Sequence, residues 1–210
     1  IRDRRLVEKT LGITDLPLLS EPNLQQQLVE IGYQGKKLEE LESLSATEKA
    51  NMLFIVQDPY TSYYDAKVVR DFVALTQKLD FEPILLPFKP NGKAMHIKGF
   101  LTRFSKTAKT QAEFLNRVAK LNVPLVGVDP AIVLSYRDEY KEALGNSRGD
   151  FHVLTAHEWL TNQLESNALQ SAVKNVAKSD HTFEWHLFPH CTESTFCLLY
   201  TSPSPRDTER

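Results

Sequence analysis

From Met52 onward, continuous apolar runs alternate with segments of helical periodicity, and this alternation constrains the fold more than any other feature. The apolar runs are "MLFIVQ", "EPILLPF", "PLVGVD", "FHVLT" and "TFEWHLF". Short runs of this kind are typical of strands that are buried on both faces. Strands that alternate with helices form right-handed βαβ units and a parallel sheet. We therefore predict an α/β fold, a parallel-sheet βαβ half-module with helices on both faces.

The helices between these strands are predicted from apolar spacing and from end signals. The first covers "AKVVRDFVALTQKL", and its apolar face is predicted to carry Val68, Phe72, Leu75 and Leu79. A second runs from about 100 to 121, with a break near Thr107. A third covers "PAIVLSYRDEYKEAL", with Pro130 in its first turn and Gly145 as its stop. The last covers "AHEWLTNQL".

Residues 1–50 show short helical patterns and no strand pattern. In "EPNLQQQLVEIG", Pro22 lies near a helix start and Gly32 acts as a stop. We predict a short helical arm over residues 1–50, followed by the α/β module over residues 51–196. Because a helix-like pattern begins at once at Ile1 rather than after a methionine, we expect the chain to come from a longer gene product.

Composition and charge limit the possible classes of function. The 210 residues, 41% of them hydrophobic, carry a formal net charge of −2, so the chain lacks the basic field that attracts nucleic acid. The longest apolar runs are far too short to cross a bilayer. Two cysteines cannot form a disulfide framework, which favours a reducing compartment. We therefore expect a cytoplasmic protein with no nucleic-acid partner and no transmembrane segment.

Polar residues cluster directly after the predicted strands, where ligands collect in parallel sheets. We expect one working edge there, which binds a ligand or a partner. Its candidate residues are Asp58, Tyr60, Thr61, Tyr63, Tyr64, Asn91, His96, Lys98, Asp129, Arg137 and His190.

Each of the three main loops also has a structural interpretation that stays open. "DPYTSYYD" fits either a tyrosine-rich contact surface or a strand-to-helix loop with Asp65 as the N-cap. "KPNGKAMHIKG" fits either an anion site or a Pro-Asn-Gly turn. In "DPAIVLSYRDEY", Asp129 is a natural N-cap, while Arg137 could bind a carboxylate in a bidentate fork or form a local ion pair on an exposed helix.

No complete catalytic or metal site is visible in the sequence. The six histidines include no His-x-x-x-His pair on a plausible helix, because Pro189 separates His186 from His190. No serine lies in a nucleophile-elbow motif. The only cysteines, Cys191 and Cys197, lie in "HCTESTFC" near the C-terminus. We assign no catalytic residue.

Several long motifs occur in the order found in one group of enzymes. They are "FIVQDPYTSYYDAKVVRDFV", "KLDFEPILLPFKPNGKAMHIKGFLTRF", "VPLVGVDPAIVLSYRDEY" and "FPHCTES". Over residues 1–196 the chain resembles the C-terminal part of large bacterial oxidoreductases that contain FAD and iron–sulfur clusters. These are enzymes of the D-2-hydroxyglutarate dehydrogenase type, related to FAD-linked D-lactate dehydrogenases.

The resemblance implies a place in a longer electron-transfer chain. Residues 1–50 would be the tail of an upstream helical iron–sulfur module, and residues 51–196 the first half of a cysteine-rich module like that of heterodisulfide reductases. FAD and 4Fe-4S clusters would be bound in the parent protein, and none by this fragment. Its partners would be the upstream FAD and ferredoxin-like domains and an electron acceptor, with peripheral contact to the inner membrane face left open.

The chain departs from this family in its cysteines. In the cysteine-rich pattern, cysteines follow the first three strands, but "QDPY", "PFKPNG" and "DPAIVLSY" contain none. The module is therefore expected to be a largely cysteine-free scaffold. Only Cys191 matches a family cysteine, and it is the one candidate cluster ligand, although a cluster takes four protein ligands.

Residues 197–210, "CLLYTSPSPRDTER", resemble the translation of a mosaic-end adapter used in transposase-based sequencing libraries. We expect a non-native tail that does not belong to the fold.

Three functions remain at this point, one of which is a small-anion-binding enzyme that uses Arg137, His96 and Lys98. The resemblance implies the electron-transfer or structural C-terminal module of a 2-hydroxy acid dehydrogenase, of the D-2-hydroxyglutarate or D-lactate type, inactive alone. The alternative is a non-catalytic α/β interaction module that binds a partner domain through its tyrosine-rich edge.

Overall fold

The computed structural model describes residues 18–165, in which four strands form one fully parallel sheet of order β2-β1-β3-β4. The strands are β1 (Met52–Val56), β2 (Glu82–Leu85), β3 (Leu125–Gly127) and β4 (Val153–Thr155). The predicted α/β fold is confirmed, and these strands match the first four apolar runs. The fifth run, "TFEWHLF", lies outside the described residues.

Helices connect the strands and precede the first of them. Before β1 lie α1 (Leu24–Glu30), α2 (Leu38–Leu41) and α3 (Ala46–Lys49). The helices between β1 and β3 are α4 (Pro59–Tyr63), α5 (Ala66–Lys78), α6 (Lys93–Ile97) and α7 (Leu101–Ala119). After β3 come α8 (Pro130–Arg137), α9 (Glu139–Leu144), a 3-10 turn (Gly145–Arg148) and, beyond β4, α10 (Ala156–Glu165).

Strand β1 separates two hydrophobic clusters, one on each face of the sheet. All five of its residues are buried, because successive side chains point to opposite faces and both faces are covered. On one face Phe54 packs among residues of α7, α8 and α9. On the other face Ile55 packs among residues of α1, α5 and α10. This two-sided burial explains why the strands read as unbroken apolar runs.

The described part of the predicted helical arm joins the core of the α/β module, and α1 packs against α5. Leu24 and Leu28 of α1 belong to the same cluster as Ile55. The hydroxyl of Tyr33 accepts a hydrogen bond of 2.8 Å from the backbone N–H of Leu85 in β2. Residues 18–50 therefore share the core of the α/β module, and position 50 marks no break in the packing.

Two helical segments differ from their predictions. The predicted break near Thr107 is wrong, because α7 is continuous and its buried residues form an unbroken stripe. The third predicted helix is instead divided at Asp138 into α8 and α9. Tyr136 and Tyr140, one on each side of the division, both lie in the core, where their rings meet edge to face with centroids 5.0 Å apart.

The apolar face of α5 is also different from the predicted one. Its buried residues are Ala66, Val69, Phe72, Val73 and Thr76. Val68 and Leu75, predicted to face the core, are 39% and 40% exposed. Both sets satisfy helical spacing through the shared Phe72, so periodicity alone does not choose between them. Packing against the cluster that includes Leu53, Ile55 and Trp159 determines which face is buried.

The strand order places a topological switch point between β1 and β3. The chain leaves β1 towards β2 on one side and later returns to β3 on the other. In open parallel sheets the crevice for ligands lies at such a point, beyond the carboxyl ends of the strands. Asp58 follows β1 and Asp129 follows β3, so both lie at this crevice.

Candidate functional site

Asp58 and Asp129 at the switch point both cap helices. The carboxylate of Asp58 accepts hydrogen bonds from the backbone N–H groups of Tyr60 at 2.8 Å and Thr61 at 2.9 Å, and from the Thr61 hydroxyl. Asp129 accepts one from the N–H of Ala131 at 2.8 Å, at the start of α8. Each aspartate precedes a proline at the first helical position, a combination that favours helix initiation.

The carboxyl group of Asp58 is buried, with only 2% of the residue exposed. Burial raises its pKa, the hydrogen bonds from Thr61 oppose this, and the negative charge of Asp129 raises it further. The two carboxylates therefore repel each other across the switch point. A group held in this way can take up a proton more readily than an ordinary aspartate.

We expect Asp58 to stabilise the fold more at low pH than at neutral pH. Because the pKa of Asp58 is raised in the folded state, its contribution is complete below the ordinary value of about 3.8 and is lost as the pH rises through the folded-state pKa. The free energy of unfolding, measured by urea denaturation of wild type and Asp58→Asn, should therefore favour wild type more at pH 4 than at pH 7.

Asp71 provides a matched control with the opposite sign. The hydrogen bonds from Lys67 and Arg70 lower the pKa of this exposed aspartate. As the pH rises from 4 to 7, the free energy of unfolding of wild type should increase relative to that of Asp71→Asn. Over the same range it should decrease relative to that of Asp58→Asn. If both variants showed the same sign, the buried environment of Asp58 would be contradicted.

The three tyrosines in and directly after α4 are exposed to solvent. Tyr60, Tyr63 and Tyr64 are 58%, 47% and 40% exposed. The ring of Tyr63 meets Phe88 of the loop after β2 edge to face, with centroids 5.1 Å apart. Four aromatic rings therefore lie along one side of the carboxyl edge, and such rings favour contact with another protein surface.

The Pro-Asn-Gly segment turns tightly and buries its asparagine. The Asn91 Oδ1 accepts a hydrogen bond from the N–H of Lys93 at 3.0 Å, and its carbonyl accepts one from the hydroxyl of Tyr140 at 2.6 Å. Gly92 adopts φ +80°, and an added Cβ would lie 3.0 Å from the ring of Phe104. The Asn91 Nδ2 is buried and has no hydrogen-bond partner among the described residues.

Glu139 at the start of α9 binds the basic residues of α6. Its carboxylate accepts a hydrogen bond from the Lys93 Nζ and lies 3.9 Å from the His96 Nδ1. Burial raises the pKa of Glu139, but the hydrogen bond from Lys93 and the positive charge of Lys93 outweigh burial, so the pKa lies below its ordinary value. Lys98 is exposed and lies outside this group.

Two buried tyrosines lie between these polar groups. Burial raises the pKa of Tyr136, and the charges of Asp58 and Asp129 raise it further. Burial also raises the pKa of Tyr140. Both hydroxyls therefore stay protonated at neutral pH, which suits them to hydrogen bonding rather than to proton abstraction.

Arg137 lies at the other end of α8 and does not join the carboxyl edge. Its guanidinium binds both carboxylate oxygens of Glu158, at 2.8 and 2.5 Å, and donates to the carbonyl of Val153 at 2.9 Å. The expected bidentate fork is therefore present, but it binds this chain's own carboxylate. An anion site shared by Arg137, His96 and Lys98 is not formed, because Arg137 and His96 are held by different carboxylates.

Residues 18–165 contain no group of histidine, cysteine, aspartate and glutamate side chains that could hold a metal ion. They also contain no cysteine, so four thiolate ligands for an iron–sulfur cluster cannot come from this range. His190 and Cys191 lie outside the described residues. Within the same range, every helix is too short or too polar to span a membrane.

Long-range partners were the part of the site that sequence reasoning missed. The Lys93–Glu139 and Arg137–Glu158 pairs join residues 46 and 21 positions apart. Charge patterns identify such partners only when they are three or four residues apart on one helix. The cap at Asp129 was predicted from the sequence because a cap and its helix are adjacent, whereas the cap at Asp58 was not predicted.

Comparison with known proteins relates the chain to one group of enzymes. It is 81% identical over 191 residues to the D-2-hydroxyglutarate dehydrogenase of Haemophilus influenzae, which covers 91% of this chain and 19% of that protein. It is 58% identical over 192 residues to the Escherichia coli protein of the same name, and 32% identical over 191 residues to the Pseudomonas putida one. Each match covers 91% of the chain and 18% of the relative.

The resemblance to dehydrogenases of this type is thereby confirmed. The chain spans about a fifth of the length of the curated relatives it matches. No family model matches the chain. No solved structure matches it.

Proposed function

We propose that this chain is a structural segment of a D-2-hydroxyglutarate dehydrogenase and is inactive alone. It corresponds to about a fifth of the length of such an enzyme. The observation that carries the proposal is the 81% identity over nine-tenths of the chain. The complete enzyme would oxidise a 2-hydroxy acid to the 2-oxo acid, with D-2-hydroxyglutarate as the first candidate and D-lactate as the second. This segment would belong to the C-terminal electron-transfer module.

The redox groups would be held by other parts of the polypeptide. FAD would accept the hydride, and 4Fe-4S clusters would pass single electrons to an acceptor. The residues described here do not fit such a cluster, since none of them is a cysteine. Cys191 remains the candidate ligand by its position in "FPHCTES", together with cysteines elsewhere in the enzyme. A cytoplasmic location is part of the same proposal.

The partners of four carboxylates support a structural role. The carboxylates of Asp58 and Asp129 accept hydrogen bonds from the first turns of α4 and α8. Glu139 is bound to Lys93, and Glu158 to Arg137. These four carboxylates are thus occupied in holding the fold, whereas a carboxylate that acts as a general base must be free to reach the proton of its substrate.

Two exposed groups of apolar side chains fit docking against the rest of the enzyme. One is formed by Tyr60, Tyr63 and Tyr64. The other lies where α6 meets α7, where Ile97, Phe100 and Leu101 are 73%, 52% and 59% exposed. Large apolar side chains that face solvent side by side are typical of interaction surfaces. We propose that the upstream FAD and ferredoxin-like domains cover them.

The purified chain tests this proposal through its cofactor content. We expect neither flavin absorbance nor stoichiometric iron, and no turnover of D-2-hydroxyglutarate or D-lactate. Stoichiometric flavin or cluster in the pure, folded chain would contradict the assignment of both cofactors to other segments.

The exposed tyrosines also support the second candidate, an interaction module that binds a separate partner protein. Binding to the separately expressed remainder of the Haemophilus relative distinguishes the two. The first proposal expects a complex that Tyr60→Ala together with Tyr63→Ala weakens, and that Val68→Ala on the exposed face of α5 does not. If the chain does not bind this remainder but binds a separate protein through the tyrosines, the result would favour the interaction module.

A further inference from the structure

A pocket of about 560 Å³ opens beside the amino-terminal end of β4. Four of its lining residues have basic side chains, namely Arg137, Lys141, Arg148 and His152. Its location is fixed by Arg137, which donates to the carbonyl of Val153, the first residue of β4. The pocket thus lies at the opposite end of the sheet from Asp58 and Asp129, and the carboxyl-edge residues take no part in it.

Arg148 gives the pocket a positive charge with a fixed position. Its guanidinium donates to the carbonyls of Tyr136, Gly149 and Phe151 at 2.7, 2.8 and 2.9 Å. It also lies over the ring of Phe151, 4.1 Å from the centroid. Backbone carbonyls orient a guanidinium without neutralising it, so the charge remains available to an anion.

Arg137 contributes a second oriented guanidinium with one donor unused. Its Nη atoms bind Glu158 and Val153, whereas its Nε is buried and has no hydrogen-bond partner within residues 18–165. A buried donor without a partner is costly, and most such donors in folded proteins are satisfied.

Positive charge exceeds negative charge around this pocket. Among the lining residues the cations are Arg137, Lys141 and Arg148 and the one acid is Asp150, while Glu158 binds Arg137. Lys141, on the exposed side of α9, has no ion-pair partner among the described residues. Counted over the lining residues and Glu158, one positive charge is left when His152 is neutral, and a second when it is protonated.

The positive charges around the pocket affect the pKa of His152. Burial lowers its pKa, the charges of Arg137 and Arg148 lower it further, and Glu158 opposes them. An anion placed among these groups would reverse the effect of the two arginines, so anion binding and protonation of His152 should reinforce each other.

We propose that the pocket formed by Arg137, Lys141, Arg148 and His152 binds a small free dianion through carboxylate or phosphate oxygens. Guanidinium and ammonium groups recognise both kinds of oxygen. The volume suits a small molecule, because ligand pockets usually measure about 300–1,000 Å³. The proposal stands independently of the dehydrogenase assignment, since no residue of the carboxyl edge or of the exposed tyrosines contributes to it.

The test is an NMR titration of the histidines in the full 210-residue chain, with His152→Gln to assign the resonance. Inorganic phosphate and succinate are used as separate probes, against sodium chloride at equal ionic strength. We expect at least one dianion to raise the pKa of His152 by about half a unit or more, and to leave His96 beside Glu139 unchanged. If neither dianion moves His152 beyond the effect of chloride, the proposal is overturned.

A charge-matched pair of variants separates a built site from general attraction. Lys141→Met should weaken binding of the responding dianion by roughly fivefold, as expected for the loss of one partly exposed charge contact. Lys109→Met removes the same charge from the exposed side of α7, outside the pocket, and should leave binding unchanged. Equal weakening by both variants would show that the anion responds only to net charge, and would contradict a site at this position.

Discussion

Replacement of Trp159 by alanine is expected to lower the free energy of unfolding by about 3–5 kcal/mol, the usual cost of removing a large aromatic side chain from a core. Trp159 is 1% exposed. Its ring meets Phe72 and Phe81 edge to face, with centroids 5.9 and 4.9 Å apart. It is the buried residue of α10, so its loss leaves a cavity between that helix and α5. Urea denaturation followed by far-ultraviolet circular dichroism measures the change.

Two further variants make this result specific. Leu164→Ala lies on the same helix but is 43% exposed, and it should change stability by no more than about 0.5 kcal/mol. Trp159→Phe keeps an aromatic ring in the cluster and should fall between wild type and Trp159→Ala, which preserves a measurement if the alanine variant does not fold. A cost for Trp159→Ala as small as that for Leu164→Ala would contradict the packing of α10 on the sheet.

Replacement of Gly127 by alanine is expected to destabilise the fold by about 1–3 kcal/mol through overpacking. An added Cβ at Gly127 would lie 2.4 Å from the Val133 Cγ2, a separation that real atoms do not tolerate. Val133 is fully buried in α8 and cannot move aside without displacing that helix. The glycine at the end of β3 therefore allows α8 to start close to the sheet, which places Asp129 at the switch point.

A double-mutant cycle tests this cause directly. Val133→Ala removes the methyl group that the new Cβ would meet, at the cost of a small cavity. The double variant Gly127→Ala with Val133→Ala should therefore be more stable than the sum of the two single effects allows, by about 1 kcal/mol. Urea denaturation of all four proteins gives the coupling energy. Strictly additive effects would mean that the contact between β3 and α8 does not limit the residue at position 127.

The parts of the fold that could be predicted from sequence are those set by neighbouring residues or by a simple period. The strands were recognisable because burial on both faces makes every side chain apolar, as in Met52–Val56. Asp129 was identified as a cap because a proline and a helix follow it. In the first loop Asp65 was predicted as the N-cap, and it does precede α5 but makes no side-chain cap hydrogen bond, whereas Asp58 caps α4. These signals need no knowledge of the rest of the chain.

The features that could not be predicted depend on tertiary contacts. The third helix divides at Asp138, although its sequence carries no glycine or proline there that would signal a break. Val69 and Val73 of α5 are buried in the core. Two faces of this helix have similar apolar periodicity, and only tertiary packing determines which one is buried. Arg137 binds a carboxylate, as its guanidinium group predicts. The identity of that carboxylate could not be predicted, because Glu158 lies on another helix, beyond β4.

The location of Asp58 and Asp129 at the edge of the sheet could be predicted from the sequence, but what their carboxylates bind could not. The polar residues after β1 and β3 do meet at the switch point, as the topology of a parallel sheet requires. Their oxygens are occupied by backbone donors and by Thr61. An apolar strand followed by an Asp-Pro pair therefore indicates where a strand ends and a helix begins, and it carries little information about catalysis.

The most direct measurement is the rate of D-2-hydroxyglutarate oxidation by a chimera of the Haemophilus influenzae relative. In this chimera the residues aligned with 18–165 of this chain are replaced by those of this chain, and an artificial electron acceptor reports turnover. If the chain is a structural segment of such a dehydrogenase, the chimera should turn over at a rate comparable to that of the parent enzyme, while the isolated chain shows no activity. A folded, cofactor-loaded chimera without activity, or an isolated chain that oxidises D-2-hydroxyglutarate by itself, would contradict it.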